Sequence, residues 1–211
     1  MNYAELSMAI SDWANKDQID KVLPSIIRFG QRDLEDSLRI RPMEYLPATS
    51  TVNAGTATLA LPTDFLEVKY LMLLNGTTRY PIDYKADIRQ MYSLATVTSD
   101  TGLPSMIAQA GDNLIYDVKT DIAYTLDWCY YRRLAALVAA APNNTNWWSE
   151  SAEEAFLMSC LNKLSLYVSG ISAEDKKKWS DAAAATREKI RLRYATEATG
   201  GATLRTEPYR L

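Results

Sequence analysis

Apolar residues recur every three or four positions at both ends of the chain, whereas between about residue 50 and residue 132 they alternate. Tyr3, Leu6, Ile10 and Trp13 make one apolar stripe, which predicts an opening helix. The polar run from Asn15 to Asp20 interrupts it, with Asp17 placed as a cap and Asp20 in a favourable first turn. Pro24 suits the start of a second helix. Its face continues through Ile26, Ile27, Gly30, Leu34 and Leu38 to about Arg39, and Pro42 forces a stop nearby.

From Thr49 the period changes from helical to strand-like. "ATLALP" alternates, and "FLEVKYLMLL" is a longer run of strand formers. Asn75-Gly76 signals a hairpin leading into "TRYPIDY". A short helical piece is predicted from about Lys85 to Leu94. "PSMIAQAGDNLIYDV" reads as two strands joined at Gly111-Asp112. In "IAYTLDWCYYRRL", Tyr124, Leu126, Trp128 and Tyr130 alternate with Thr125, Asp127, Cys129 and Tyr131, the clearest strand signature in the chain. Six or so short strands with tight turns predict a small antiparallel sheet or sandwich.

Helical spacing returns after the polar loop "APNNTNWW". Ser151 with Glu154 matches a capping box, and Phe156, Leu157, Cys160, Leu161, Leu164, Tyr167 and Val168 supply a wide apolar face that Gly170 ends. Ser172 with Asp175 caps a last helix carrying Trp179, Ala182, Ala183, Thr186 and Ile190, with "KKKW" as a solvated turn. The order helices, strands, helices predicts an α+β fold. A helical bundle is built from both ends of the chain, with a central antiparallel β-domain and an extended C-terminal tail. The expected divisions are 1–48 and 142–198 for the bundle, 49–141 for the β-rich domain and 199–211 for the tail.

Charge and composition narrow the function. A net charge of −3 argues against a dedicated nucleic-acid binder. From Arg187 onward, however, six basic residues stand against three acidic ones, so this end is +3 on an acidic body, a pattern that suits either an electrostatic partner or a solvated face. Five tryptophans and thirteen tyrosines suit interfaces as well as cores. Cys129 and Cys160 lack ligand spacing and read as a reduced, buried pair. No signal peptide or membrane-length apolar run is visible. The two matches to the glycosylation sequon, at Asn75 and Asn143, carry no meaning without secretion.

The same residues offer little to an enzyme. There is no histidine, which removes the commonest general base and metal ligand. No Ser-His-Asp or Cys-His set can be built, and no glycine-rich phosphate loop is present. Asp33, Glu35, Asp36 and Glu44 are close in sequence and leave a carboxylate mechanism open, but Asp33, Asp36 and Arg32 lie on one run of a charged helix, and a solvated face explains them better. In Tyr130-Tyr131-Arg132-Arg133 the tyrosines are expected to pack while the arginines meet solvent or a neighbouring subunit. Of the adjacent Trp147 and Trp148, one is expected to staple onto the following helix and the other to anchor a partner. No cofactor, metal or membrane partner is expected.

Several of these stretches, in collinear order from Tyr3 to Arg193, resemble the head-to-tail adaptor proteins of tailed bacteriophages. "LPSIIRFGQRDLEDSLRIRPME" resembles that family's proline-led second helix, ending in its R-x-R-x-M-E phrase at Arg39, Arg41, Met43 and Glu44. "LPTDFLEVKYL" is similar to its strand entry, "YTLDWCYYRRLAAL" to its aromatic strand, "TNWW" to its tryptophan loop and "KKKWSDAAAATREKIRLR" to its final helix. The helix "AEEAFLMSCLNKLSLYVSG" departs from the family's usual proline and glutamate-alanine pattern, which bears on its subunit contacts. The resemblance implies a non-catalytic structural protein of the virion neck, made in the cytoplasm of the bacterial host. It implies a ring, typically of twelve subunits, that closes through heterologous contacts beneath the portal protein. Such a ring extends the DNA channel, passes DNA without specific binding and offers a platform to a downstream tail or nozzle protein. The runner-up in the same setting is another neck component, such as a stopper or tail-completion protein; a wall-degrading carboxylate enzyme is the alternative from a different class. The resemblance further implies that the C-terminal segment embraces the portal. Gly200 and Gly201 then serve as a hinge, Leu204, Tyr209 and Leu211 as pocket fillers, and Arg205 and Arg210 as partners for acids. Arg39, Arg41, Tyr130, Arg132, Arg133, Trp147 and Trp148 are the candidate subunit or partner contacts.

Overall fold

In the computed structural model, which describes residues 1–15, 19–47, 50–85, 87–94 and 101–198, helices from both ends of the chain form one unit and the strands another. Met1–Pro42 and Leu134–Leu211 make the helical unit, and Met43–Arg133 the β-rich one. The fold is therefore α+β, with central, mainly antiparallel sheets. The predicted docking residues Gly200, Gly201, Leu204, Arg205, Tyr209, Arg210 and Leu211 lie outside the described residues, as does Asp17.

Helix α1 (Tyr3–Ala14) starts at Asn2, whose side chain accepts from the Glu5 N–H while Glu5 accepts from the Asn2 N–H, a reciprocal cap. Its buried positions are Leu6, Ile10 and Ala14, each four residues apart, while Trp13 is 52% exposed. The expected stripe was wrong at its last position: α1 lies against the bundle through the small Ala14, and the indole faces out. Helix α2 (Leu23–Ser37) has Pro24 in its first turn and no side-chain cap. It ends two residues before Arg39. Leu38 is extended and buried, and Arg39 Nη1 donates to the carbonyls of Glu35 at 2.7 Å and Leu38 at 2.9 Å, satisfying groups that a helix end leaves open.

A short 3₁₀ turn (Arg41–Met43) leads into the β-rich unit. Its strands are β1 (Glu44–Tyr45), β2 (Ser50–Val52), β3 (Thr58–Ala60), β4 (Phe65–Asn75), β5 (Thr78–Pro81) and β6 (Asp83–Lys85), then β7 (Thr101–Gly102), β8 (Met106–Ala110), β9 (Asn113–Tyr116), β10 (Lys119–Thr120) and β11 (Tyr124–Arg132), with helix α3 (Ile88–Leu94) after β6. One sheet has the order β1-β11-β4-β5, with β2 also on β11; a second has the order β3-β9-β8-β6; β7 and β10 form a third, two-stranded sheet. Gly76 (φ +59°) and Gly111 (φ +58°) occupy the predicted turns, where a left-handed residue matches hairpin twist. Two pairings, β6 with β8 and β7 with β10, are parallel rather than antiparallel. Between β6 and β8 the chain passes through α3, and a crossover of that length permits parallel pairing where a tight turn cannot.

Tyr124, Leu126, Trp128 and Tyr130 on β11 all face one core, as their alternation predicts. They meet Leu71 and Leu73 of β4 and, from the second sheet, Ile107, Leu114 and Tyr116. Burial pushes the Tyr124 and Tyr130 phenols up to about 12, assisted at Tyr124 by its bond to Asp121 and at Tyr130 by the nearby Asp64 charge.

After Arg133 the chain rejoins the helices. Helix α4 (Trp147–Ser151) is capped by Asn146, whose side chain accepts from the Ser149 N–H at 3.1 Å while Ser149 Oγ accepts from the Asn146 N–H at 2.9 Å. The predicted cap at Ser151 is thus corrected: Ser151 is the last residue of α4. The next helix, α5 (Glu153–Tyr167), follows Ala152 without a side-chain cap. The last, α6 (Ala173–Ala198), begins as expected, with Ser172 Oγ accepting from the Asp175 N–H.

Helix α5 is the centre of its unit, packed by α1, α2, α4 and α6. Phe156, Cys160, Leu161 and Leu164 are wholly enclosed. Where α2 crosses it, Gly30 meets Cys160: a Cβ at Gly30 would stand 2.6 Å from Cys160 Sγ and 3.1 Å from Cys160 N and Cα. Cys129 and Cys160 are both free and buried, and burial pushes the Cys160 thiol up.

Two outcomes are expected. Gly30→Ala should lower unfolding free energy by about 2 kcal/mol in urea titration through overpacking. Cys160→Ala added to it should recover only part, because the Cys160 backbone also obstructs. Separately, the unfolded chain releases phenolic protons near pH 10 while folded Tyr124 and Tyr130 hold theirs to about 12. Their contribution to stability is complete below pH 10 and lost as pH rises to 12, and Tyr130→Phe should flatten that decline in denaturation midpoints measured across the range.

Candidate interaction surface

Two polar clusters inside the helical unit decide which of its charges reach the outside. The first lies on α2. Gln31 and Glu35 are four residues apart, on the same side as Ile27, and both are buried, Glu35 to 1% exposure. Gln31 Nε2 donates to Glu35 Oε1 at 2.9 Å and to the carbonyls of Leu134 and Ala135. Gln31 Oε1 accepts from the Leu137 N–H and from Asn146 Nδ2, and Glu35 Oε1 accepts from the Leu134 N–H. Asn146 Nδ2 also donates to the Ala135 carbonyl. The chain returning from the strands is clamped to α2 by side chains that bond the N–H and C=O of Leu134, the C=O of Ala135 and the N–H of Leu137. An extended segment beside a helix has no ladder of its own, so its buried polar groups need such partners.

The second cluster joins three helices. Asp33 of α2 pairs with Lys163 of α5 at 2.5 Å and with Arg187 Nη1 of α6 at 2.9 Å. Ser159 Oγ lies 3.0 Å from the Gly30 carbonyl, to which it donates, and 3.3 Å from Asp33. All three charged side chains are only 19–25% exposed. The expectation of a solvated face at Asp33, Asp36 and Arg32 is therefore corrected for Asp33. Asp33 points into the bundle where α5 and α6 cover α2, whereas Glu35 faces the returning chain at Leu134.

The predicted contact residues divide by exposure. Trp148 is fully buried, while Trp147 is half-buried, edge-on to both Trp148 (4.9 Å between centroids) and Tyr194 of α6 (6.1 Å). In the β-rich unit, Tyr130 is buried against Tyr45, Phe65 and Trp128, and its hydroxyl donates to Asp64 at 3.1 Å. Arg132 lies over the Tyr45 ring, 4.3 Å from its centroid, a cation–π arrangement. The Arg133 N–H donates to the Asp64 carbonyl at 2.7 Å. Lys69 reaches Glu44 at 2.6 Å, and that bond holds its ammonium above the ordinary lysine range. Arg39 closes the end of α2 as described, and Arg41 is exposed on the 3₁₀ turn.

Gln31 and Asn146 carried no expectation in the sequence, and Glu35 appeared there only as one of a run of carboxylates, not as a partner of the returning backbone. A signal was present: Ile27, Gln31 and Glu35 lie on one i, i+4 row of a helix whose apolar face includes Ile27 and Leu34.

Among the described residues, no three or more Cys, Asp or Glu side chains are grouped to hold a metal, and no helix is long and apolar enough to cross a membrane. The described residues form a helical bundle cross-braced through Asp33, Lys163 and Arg187 and a sheet unit with an aromatic core. The chain belongs to the SU10 adaptor protein family, whose sequence model matches residues 1–206. Members of this family are phage head-to-tail adaptors, which meet portal and tail components in the neck of the virion. No curated protein matches the chain.

Asp33→Ala would leave Lys163 and Arg187 facing each other half-buried. A loss of about 2–3 kcal/mol in chemical denaturation is expected. A double-mutant cycle of Asp33 with Arg187 should return a coupling of about 1 kcal/mol; additive losses would mean that the pair is not coupled.

Proposed function

We propose that this adaptor acts as a ring of identical copies seated beneath the portal, continuing the DNA channel and presenting a platform to a downstream tail or nozzle protein. The observation that carries the reading is the family match, which does not stop with α6 but runs to residue 206, through Gly200, Gly201, Leu204 and Arg205. The segment after the bundle thus shares the family's sequence pattern, as expected of a docking arm rather than of a spacer. Each copy contributes one arm, and repetition around a ring turns weak individual docking into avidity that offsets the cost of ordering each arm.

The cross-bracing supports the same role. An adaptor transmits load between head and tail, and a bundle tied through Asp33, Lys163 and Arg187 resists sliding of its helices. Within this proposal Trp147 is the tryptophan left for a neighbour, since Trp148 belongs to the core. Arg39, Arg41, Arg132 and Arg133 are the polar contacts, and Tyr130 supports them from within its sheet. The acidic net charge suits a wall past which DNA slides, because cationic walls would hold phosphate.

Deletion of Gly200–Leu211 tests the docking arm. Thermal melting should stay nearly unchanged, while co-purification with the portal should be lost and rings should no longer be seen on portal particles by electron microscopy. Undiminished portal binding by the shortened chain would refute the arm's role.

A further inference from the structure

Two surfaces of the helical unit each combine exposed apolar side chains with charge of a single sign. On α1, the side turned away from the buried row Leu6, Ile10 and Ala14 carries Met8 (63% exposed) and Trp13, with the exposed Glu5 and Asp12 on the same two rows. From Tyr3 to Ala14 there are two acids and no base. The second surface is made by α2 and the end of α5. Arg28 and Arg32, four residues apart and exposed, form one row of α2, and among the described residues neither pairs with a carboxylate. Arg28 instead lies over the neighbouring Phe29 ring, 5.7 Å from its centroid, and Phe29 meets Tyr167 at 5.8 Å between centroids. Leu166 and Tyr167, the last two residues of α5, are 69% and 65% exposed. From Lys21 to Arg32 there are three bases and no acid, and Leu164 to Ser172 carries no charge. Asp33, next along α2, is already matched by Lys163 and Arg187.

We propose that these two surfaces bind each other between copies of this chain. The outer side of α1 in one copy seats on Phe29, Leu166 and Tyr167 of the next, with Glu5 and Asp12 facing Arg28 and Arg32. Charge complementarity selects a second copy as the occupant. Each surface repels its own kind, which disfavours α1 against α1 or α2 against α2, whereas acid meets base when unlike surfaces join. The surfaces also lie apart. Met1 bonds Ser149 and Glu153 at the start of α5, so the first turn of α1 stands there, while Leu166 and Tyr167 end that helix about 20 Å away. Contact between unlike surfaces is the head-to-tail kind that can close a ring. A phosphate backbone fits less well, since it would leave Leu166 and Tyr167 unused.

This pairing rests on the ring reading of the function and supplies a contact for it. The named side chains are far fewer than the roughly 20–30 residues a side of a stable two-body complex. A single contact is therefore weak, and repetition around a ring makes it persist.

The test mixes two full-length chains without portal, one carrying Ala9→Cys and the other Ser169→Cys, positions beside the two surfaces. Disulfides between chains are followed by peptide mass under mild oxidation; the native cysteines are both buried. The 9–169 link should form roughly tenfold faster than the 9–9 or 169–169 link, as a raised effective concentration requires. Arg28→Glu with Arg32→Glu in the Ser169→Cys chain should remove most of that advantage. Adding Asp12→Arg and Glu5→Gln to the other chain should restore it, since glutamine at position 5 keeps the cap of α1. Equal rates for the three links, preference for a like link, or a 9–169 rate indifferent to the arginine changes would each overturn the proposal. Retention on DNA that those arginine changes abolish, with the 9–169 rate unaltered, would assign the row to phosphate instead. Rings on portal particles without a preferred 9–169 link would sink this contact and leave the ring reading standing. A preferred link from chains that never form rings on the portal would do the reverse.

Discussion

The helical unit depends on the close approach of α2 to α5 at Gly30 and Cys160. With no Cβ at Gly30, the two helices come near enough for Ser159 to donate to the Gly30 carbonyl and for Asp33 to reach Lys163. Any larger residue at position 30 must move one helix or the other. From this crossing the remaining contacts of α2 are set. Its flank meets Arg187 of α6, and its Gln31–Glu35 row meets the returning chain. A single absent methyl group thus has consequences on three sides of one helix.

Both polar clusters act on geometry more than on net stability. A buried or half-buried ion pair gains little over an apolar replacement, yet removing one partner is costly. Asp33 therefore fixes where α5 and α6 sit along α2 more than it strengthens their packing. Gln31, Glu35 and Asn146 do the corresponding work at the chain's return, where they satisfy backbone groups that would otherwise be buried without partners. In an adaptor, which has to hold its shape between two larger assemblies, a specified geometry is of more use than a somewhat deeper free-energy minimum. The β-rich unit reaches its own definition by another route. Two sheets close over a shared aromatic core, and Arg132, stacked on Tyr45, marks the end of β11 nearest the unit's boundary.

Family membership points to a structural role. Trp147 stands edge-on to Tyr194, which with Arg39 lines a groove near the end of α6. One end of the bundle thus gathers aromatic and basic side chains.

Much of the architecture was legible in periodicity. The switch from helical spacing to alternation near residue 50, and back after residue 146, follows from which face of each element must be dry, a local property of the chain. The strand Tyr124–Tyr130 and the turns at Gly76 and Gly111 were readable for the same reason. The likeness to head-to-tail adaptors was also carried by short phrases in order along the chain. Which polar residues would be buried was not legible in this way. Asp33 and Glu35 look like ordinary members of a charged helix, because their partners lie about a hundred residues or more away at Leu134, Lys163 and Arg187. Nor could spacing tell Trp147 from Trp148, or Trp13 from Ala14, since one residue's rotation around a helix separates core from solvent. The order and kind of elements are thus set by local pattern. The environment of each polar and aromatic side chain was decided only when distant segments met, because desolvation and hydrogen bonding depend on neighbours that the local sequence does not contain.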